Sequence, residues 1–306
     1  MTGQAGKERA RQACSAPDRP RRLRQISAEF RTRGAACCAL LALTVLLGAA
    51  AVQDSRTKNI EMCSGFVLNS PDAQIQGCTA LIDAGQEKME TLAIVYNNRG
   101  NAYSRRGEYD RAIEDYDQSL NINPSYASAV SNRGAAYQKK GAYDRAIEDF
   151  DRAIELDPSS AIAFANRAAT HEKANHHDRA IRDYDEAIRL KPALATAWNG
   201  RCWTRAIMGQ LQAALADCEE ALRLNSRSAV TLDSRAFTYL KMGQWDAAID
   251  DYSRALQLDP KFASSLYGRG IAKLKKGDTA DGDSDVRAAV AIQANIIEEF
   301  ARNGMQ

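Results

Sequence analysis

The chain has 306 residues, 45% of them apolar and only 7% aromatic, enough to bury the core of one large domain or two small ones. Lys and Arg total 41 against 39 Asp and Glu, a balance that excludes a dedicated nucleic-acid surface. The charge is uneven. Lys7, Arg9, Arg11, Arg19, Arg21, Arg22, Arg24, Arg31 and Arg33 stand against only Glu8, Asp18 and Glu29 between Met1 and Gly34, which leaves an acidic remainder.

Residues 1–52 read as an address rather than a fold. From Ala35 to Val52 nothing is charged and only Thr44 is distinctly polar. A basic segment precedes this run, and Ala49-Ala50-Ala51 follows its most apolar stretch. Basic region, apolar core and small-residue exit describe a secretory signal, with cleavage expected near Ala51. The alternative is a retained signal-anchor, since the run is about the minimum that spans a hydrocarbon core. In either case the arginines stay in the cytoplasm and the body crosses the membrane. The expected location is therefore exported and periplasmic, or inner-membrane anchored with the body outside the cytoplasm. Arg21-Arg22 is a poor twin-arginine match.

Residues 53–92 read as an N-terminal capping hairpin, with helices over Asn59–Leu68 and Pro71–Ala84. Ser70-Pro71-Asp72 is a helix start, a serine cap followed by proline in the first turn.

Residues 93–296 repeat with one fixed period, the interval from Arg99 to Arg133. Asn98-Arg99-Gly100 recurs as Asn132-Arg133-Gly134 and Asn166-Arg167-Ala168, then as Gly200-Arg201-Cys202, Ser234-Arg235-Ala236 and Gly268-Arg269-Gly270. Each of the six units reads as two short helices. Val130, Gly134 and Tyr137 fall at i, i+4 and i+7 of the first helix. Gly107, Gly141, Gly209, Gly243 and Gly277 suit its left-handed C-terminal cap, and Asn175 stands there in unit three. Asp110, Asp144, Asp178 and Asp246 fall in the first turn of the second helix, where acids are favoured. Pro124, Pro158, Pro192 and Pro260 then stop it. No segment reads as a strand. Beyond the repeats, Ile292 to Arg302 is amphipathic, so that 297–306 forms the end of a C-terminal capping helix and the tail.

The pattern resembles the tetratricopeptide repeat (TPR) family. The matching residues are Tyr96, Phe164 and Trp198, then small Gly100, Gly134 and Gly270, then Tyr103, Tyr137 and Tyr239 on first helices. On second helices they are Ala112, Ala146, Ala180, Ala214 and Ala248, followed by Tyr116, Phe150, Tyr184 and Tyr252. The resemblance implies an all-α, right-handed α-solenoid of stacked helix-turn-helix hairpins, since one hairpin cannot hide its apolar face alone. It also implies a non-catalytic scaffold that binds a protein or peptide in a concave groove.

Where the family often has an apolar residue, this chain has arginine in every unit, and an aspartate follows sixteen residues later. The pairs Arg99–Asp115, Arg133–Asp149, Arg167–Asp183, Arg201–Asp217, Arg235–Asp251 and Arg269–Asp285 are expected to be structural ion pairs, because buried charges are paired. Four cysteines remain beyond the leader. An even number in a translocated chain is compatible with disulfides, here Cys63–Cys78 and Cys202–Cys218; the alternative is four buried thiols.

The groove lies on first helices. In early units its positions are polar or small: Asn97, Asn101, Ser104, Ser131, Ala135 and Gln138. In later units they become Asn199, Trp203, Asp233, Phe237, Leu240, Tyr267, Ile271 and Leu274, an apolar strip of the kind that marks interaction sites. The alternative for those aromatics is packing against the terminal helix. Arg105, Lys139, Lys173, Lys241 and Lys275 repeat along one edge, where they either attract an acidic peptide or simply complement the helix dipole. Asn101 matches one asparagine of the family's carboxylate clamp, but Asn97 and Ala135 replace two other clamp residues, so that activity does not carry over.

No catalytic motif or cofactor is expected. The three histidines, His171, His176 and His177, cluster in unit three, and the rival reading is a metal-binding enzyme built on them. A second rival is a membrane-anchored envelope assembly factor, touching the membrane only through its N-terminal segment.

Overall fold

The computed structural model describes residues 53–65 and 70–305. The expected signal or anchor segment, 1–52, lies outside the described residues, as do 66–69 at the end of the expected Asn59–Leu68 helix. The chain separates into two compact units, 1–58 and 59–306. Of the first, residues 53–58 are described and are helical.

The second unit is an all-α solenoid of hairpins, with no strand among the described residues. A short helix α1 (59–64) and α2 (Pro71–Ala84) form the first pair. Six hairpins follow: α3 (Met89–Arg105) with α4 (Tyr109–Ile122), α5 (Ala127–Lys139) with α6 (Tyr143–Leu156), and α7 (Ala161–Lys173) with α8 (His177–Leu190). The last three are α9 (Ala195–Ile207) with α10 (Leu211–Leu224), α11 (Ala229–Lys241) with α12 (Trp245–Leu258), and α13 (Ala263–Lys276) with α14 (Thr279–Ile292). The first repeat helix thus begins at Met89, ahead of the expected Ala93. Serine caps α2 as its sequence implies, Ser70 accepting from the Ala73 N–H. Asn175, at φ 61°, fills the left-handed position that glycine takes elsewhere, a conformation asparagine tolerates better than any bulky residue.

The terminal helix differs from the sequence reading. Helix α14 ends at Ile292, and a separate α15 (Ile296–Arg302) follows after Gln293 leaves helical geometry. No glycine or proline marks the break. It falls where every second helix of the array ends, and α15 then turns to bury Ile296 and Phe300 in the core of units four to six.

Each first helix packs on its own second helix, on the second helix of the unit before it and on the neighbouring first helices, whereas among the described residues the backbones of second helices stay apart from one another. The first helices therefore line the inner side of the curve. Core positions are filled by alanines at full burial, Ala112, Ala146, Ala180, Ala214 and Ala248 among them, which lets helices approach closely. Close approach is most demanding at Gly200 and Gly268, where an added Cβ would stand 2.2 Å from Tyr184 Cζ and from Tyr252 Cζ respectively. At Gly282, where the family usually has alanine, a Cβ would lie 2.7 Å from Leu274 Cγ.

The sulfurs of Cys63 and Cys78 stand at bonding distance, as do those of Cys202 and Cys218, with Cα separations of 4.6 and 5.4 Å. Both separations lie within the range a disulfide needs. The first pair ties α1 to α2, the second α9 to α10.

Candidate functional site

The frame comes first. In every unit the arginine Nε and Nη2 grip both oxygens of the aspartate sixteen residues on, at 2.6–2.9 Å: Arg99–Asp115, Arg133–Asp149, Arg167–Asp183, Arg201–Asp217, Arg235–Asp251 and Arg269–Asp285. All six carboxylates are buried, and the bidentate fork satisfies them. The hydrogen bonds to its carboxylate hold the guanidinium of Arg99 above the ordinary arginine pKa, against the opposing effect of burial. In units two to four the remaining nitrogen crosses to the preceding unit: Arg133 Nη1 to Asp117 at 2.6 Å, Arg167 Nη1 to Asp151 at 2.6 Å and Arg201 Nη1 to Asp185 at 2.5 Å. At the ends a hydroxyl replaces the acid, Thr79 for Arg99 and Ser253 for Arg269.

Sequence reasoning missed a second cation on the same carboxylates. Where tyrosine gives way to a basic residue four positions after the arginine, that residue also turns to the aspartate: Arg205 reaches Asp217 at 2.7 Å and Lys273 reaches Asp285 at 2.9 Å. His171 occupies the same place, its Nε2 3.9 Å from Asp183. Burial holds His171 below the ordinary histidine pKa. Its ring centroid lies 5.7 Å from that of His176, and among the described residues no group of three His, Cys, Asp or Glu side chains is placed to hold a metal ion.

The groove has two unlike ends. At the N-terminal end a cavity of about 480 Å³ is lined by Ser64, Gln74, Asn98, Asn101, Asn132 and Ala135, among others. Its amides are held in place: Tyr116 donates to Asn101 at 2.8 Å, Asn132 donates to Asn97 at 2.9 Å, and Arg105 donates to the Gln74 amide oxygen. Small residues, Ala135, Ala165 and Ala169, follow along the inner side. At mid-groove, burial pushes the Glu172 carboxyl up to about 7, against hydrogen bonds from Thr204 and Tyr184 that favour its charge.

At the C-terminal end the apolar strip is covered by the chain's own helix α15. Asp233, Phe237, Leu240 and Tyr267 are buried, and Trp203 and Ile271 pack against the same cluster. Phe300 meets Phe237 and Tyr267 edge-on, with centroids 5.7 and 4.7 Å apart, and Trp203 stacks obliquely on Phe237 at 4.8 Å. Lys241, one of the edge lysines, donates to the Asn303 carbonyl at 3.4 Å and to the Ile207 carbonyl at 3.2 Å. Leu274 turns instead into the space above Gly282, between α13 and α14. The Asn199 side-chain oxygen is buried without a hydrogen-bond partner. Beneath α15, Asp233 accepts from Ser265 at 2.7 Å and Ser264 at 2.9 Å. Burial pushes the Asp233 carboxyl up to about 6; the serines pull it down, and the charge of Glu299 pushes it up further.

An all-helical array of stacked hairpins with an inner groove defines the class of α-solenoids. The TPR repeat profile matches residues 100–141 and 236–277, and two tetratricopeptide repeat profiles match 127–160 and 166–229, together more than half of the chain. The chain belongs to the tetratricopeptide repeat family, whose members serve as protein-interaction scaffolds.

Among solved structures the chain is similar to a tetratricopeptide repeat protein from Parabacteroides merdae, at 18% identity and TM-score 0.64, covering 82% of this chain and all of that one. It is similar to pilF of Pseudomonas aeruginosa at 20% identity and TM-score 0.59, covering 70% and 99%. It is also similar to a chain of the APC/C hetero-tetramer Cut9-Hcn1 at 17% identity and TM-score 0.66, covering 82% of this chain but only about half, 51%, of that one. At these identities the likeness is one of fold. No curated protein matches the sequence.

Proposed function

We propose that this chain is a non-catalytic scaffold of the cell envelope that takes a protein or peptide partner along its inner groove. The observation that carries this reading is the amide-lined cavity between α2, α3 and α5. Asparagine and glutamine side chains both donate and accept, the complement of a peptide backbone that offers one N–H and one C=O per residue. Fixing these amides by Tyr116 and Asn97 reduces the ordering cost of capture.

The envelope location rests on the basic and apolar leader within residues 1–52 and on the two cysteine pairs, which we read as disulfides. Structural disulfides persist in oxidising compartments. Both pairs are buried, where a bridge would tie the helices of one hairpin together.

The test is affinity capture from the envelope fraction, comparing the native chain with Asn101→Ala/Asn132→Ala. Loss of the captured partner with an unchanged melting temperature supports the groove assignment, and equal capture by the double variant rejects it. N-terminal sequencing of the mature chain, starting near Val52 or retaining the leader, separates the secreted form from the anchored one.

A further inference from the structure

The apolar end of the groove already holds a ligand, the chain's own last helix, and that ligand fits imperfectly. Helix α15 has seven residues, about half the ~12–15 that hold helical form alone in water, so its order comes from the groove. Its grip is two side chains four residues apart, Ile296 and Phe300, both fully buried against residues of α9, α11 and α13. The misfit lies between them in sequence. Glu299 brings a negative charge towards Asp233, a carboxylate buried at 5% exposure whose hydrogen bonds come only from neutral serines. Gln293 holds the Glu299 carboxylate at 2.7 Å, but among the described residues no cation bonds to Asp233. The buried aspartates of the repeat frame each receive an arginine; here the last helix presents an acid.

We propose that this end of the groove is a receptor for a partner's amphipathic helix carrying an aliphatic residue, a hydrogen-bond donor three positions later and an aromatic residue at the fourth, and that α15 is the internal placeholder such a helix displaces. The receptor reading rests on the groove assignment above but concerns its opposite end. A neutral or cationic donor at the position of Glu299 would replace the like-charge repulsion on Asp233 with an attraction, so the partner helix outcompetes the tail. The short connection at Gln293–Asn295 keeps the tail at high effective concentration, roughly millimolar for short tethers, which sets the threshold a partner must exceed.

The probes are labelled synthetic peptides of residues 293–305, one with the native sequence and one with Glu299→Lys, titrated by fluorescence anisotropy into the full chain. The Glu299→Lys peptide is expected to bind at least tenfold more tightly than the native peptide. In the Asp233→Asn chain that difference should shrink to less than threefold. A full chain with Phe300→Ser, which loosens the tail, should bind the native peptide at least tenfold more tightly than the unaltered chain does. Equal binding of the two peptides, or no binding of the native peptide by the Phe300→Ser chain, overturns the proposal.

If Phe300→Ser unfolds the last unit, hydrogen exchange on the unaltered chain decides. Amides of α15 that exchange well before those of α12 support a displaceable tail, and exchange in step with α12 overturns it. Failure here leaves capture by the amide-lined end untouched, so the two readings fail separately.

Discussion

The two ends of the inner groove occupy identical places in the repeat and hold opposite chemistry. In unit one the three groove positions are Asn97, Asn101 and Ser104; in unit six they are Tyr267, Ile271 and Leu274. The frame beneath both is the same arginine gripping the same aspartate. A repeat scaffold thus separates what holds it together from what it presents. The former is fixed in every unit, and the latter varies along the array. The contrast extends to occupancy, for the polar end opens into a cavity while the apolar end is closed by α15.

The largest expected effect tests whether the frame is indifferent to the ends. Asp149→Ala leaves Arg133 half-buried with only Asp117 as partner, and should cost roughly 3 kcal/mol, as removal of one member of a buried pair does. Denaturant unfolding reads the loss, and capture by the surviving folded fraction should be unchanged. If capture vanished at intact stability, the arginine row would be a binding element.

Next in size is Gly268→Ala, which forces a methyl against Tyr252 and should cost about 1–3 kcal/mol, measured the same way. The equivalent position in unit one is Asn98, which already carries a side chain. Asn98→Ala should therefore be near neutral, and equal losses at both positions would break the comparison.

A smaller effect distinguishes the ends by pH. Asp233 has its folded pKa raised to about 6, above its unfolded value, so the native state holds a proton that the unfolded chain releases. Its stabilising contribution is present below about pH 4 and is lost as pH rises through about 6. Glu172, raised to about 7, acts in the same direction, whereas His171, lowered by burial, acts oppositely. Comparing melting curves of the native chain and Asp233→Asn cancels the other groups. The native chain should lose a few degrees relative to the variant between pH 5 and pH 8. No such divergence would mean that Asp233 is solvated and α15 is not seated on it.

The smallest concerns the middle of the array. Asn175→Gly should stabilise by less than about 1 kcal/mol and Asn175→Ala should destabilise by about as much, because φ there is 61°. Thermal unfolding of the pair sharpens whether unit three is as firmly built as its neighbours.

The frame was legible in the sequence because its signals are periodic. Arg99 and Asp115 recur sixteen apart in six copies, and a hairpin of fixed length leaves them one place to meet. The second cation on Asp217 and Asp285 was legible too, since Arg205 and Lys273 follow the repeat arginine by four, but a tyrosine in three of the six units hid the pattern. The closing of the apolar end was legible only as an alternative, the packing of its aromatics against the terminal helix. Ile292 to Arg302 has one continuous amphipathic pattern that hides the break after Ile292, although every earlier second helix, from Ile122 to Leu258, ends at the same place in the repeat. What the repeat does not place is the seat of the following helix, since Ile296 and Phe300 are buried in the core of units four to six, with Phe237 and Leu240 far upstream. The same contact decides why a strip of aromatics that reads as exposed is buried.

The crossing of Arg133, Arg167 and Arg201 into the unit before each also bears on how such an array grows. A duplicated copy of unit two, inserted behind the original, would bring its own Arg133 and meet the Asp151 already waiting there, while its own Asp151 would meet Arg167. Both joints would close without a single new substitution. The chain can therefore be lengthened through its interior by simple duplication, and a seven-unit version should melt higher than the six-unit one. The final three units have no such freedom, because the closing helix fits their particular side chains and a copy placed among them would leave it facing the wrong surface.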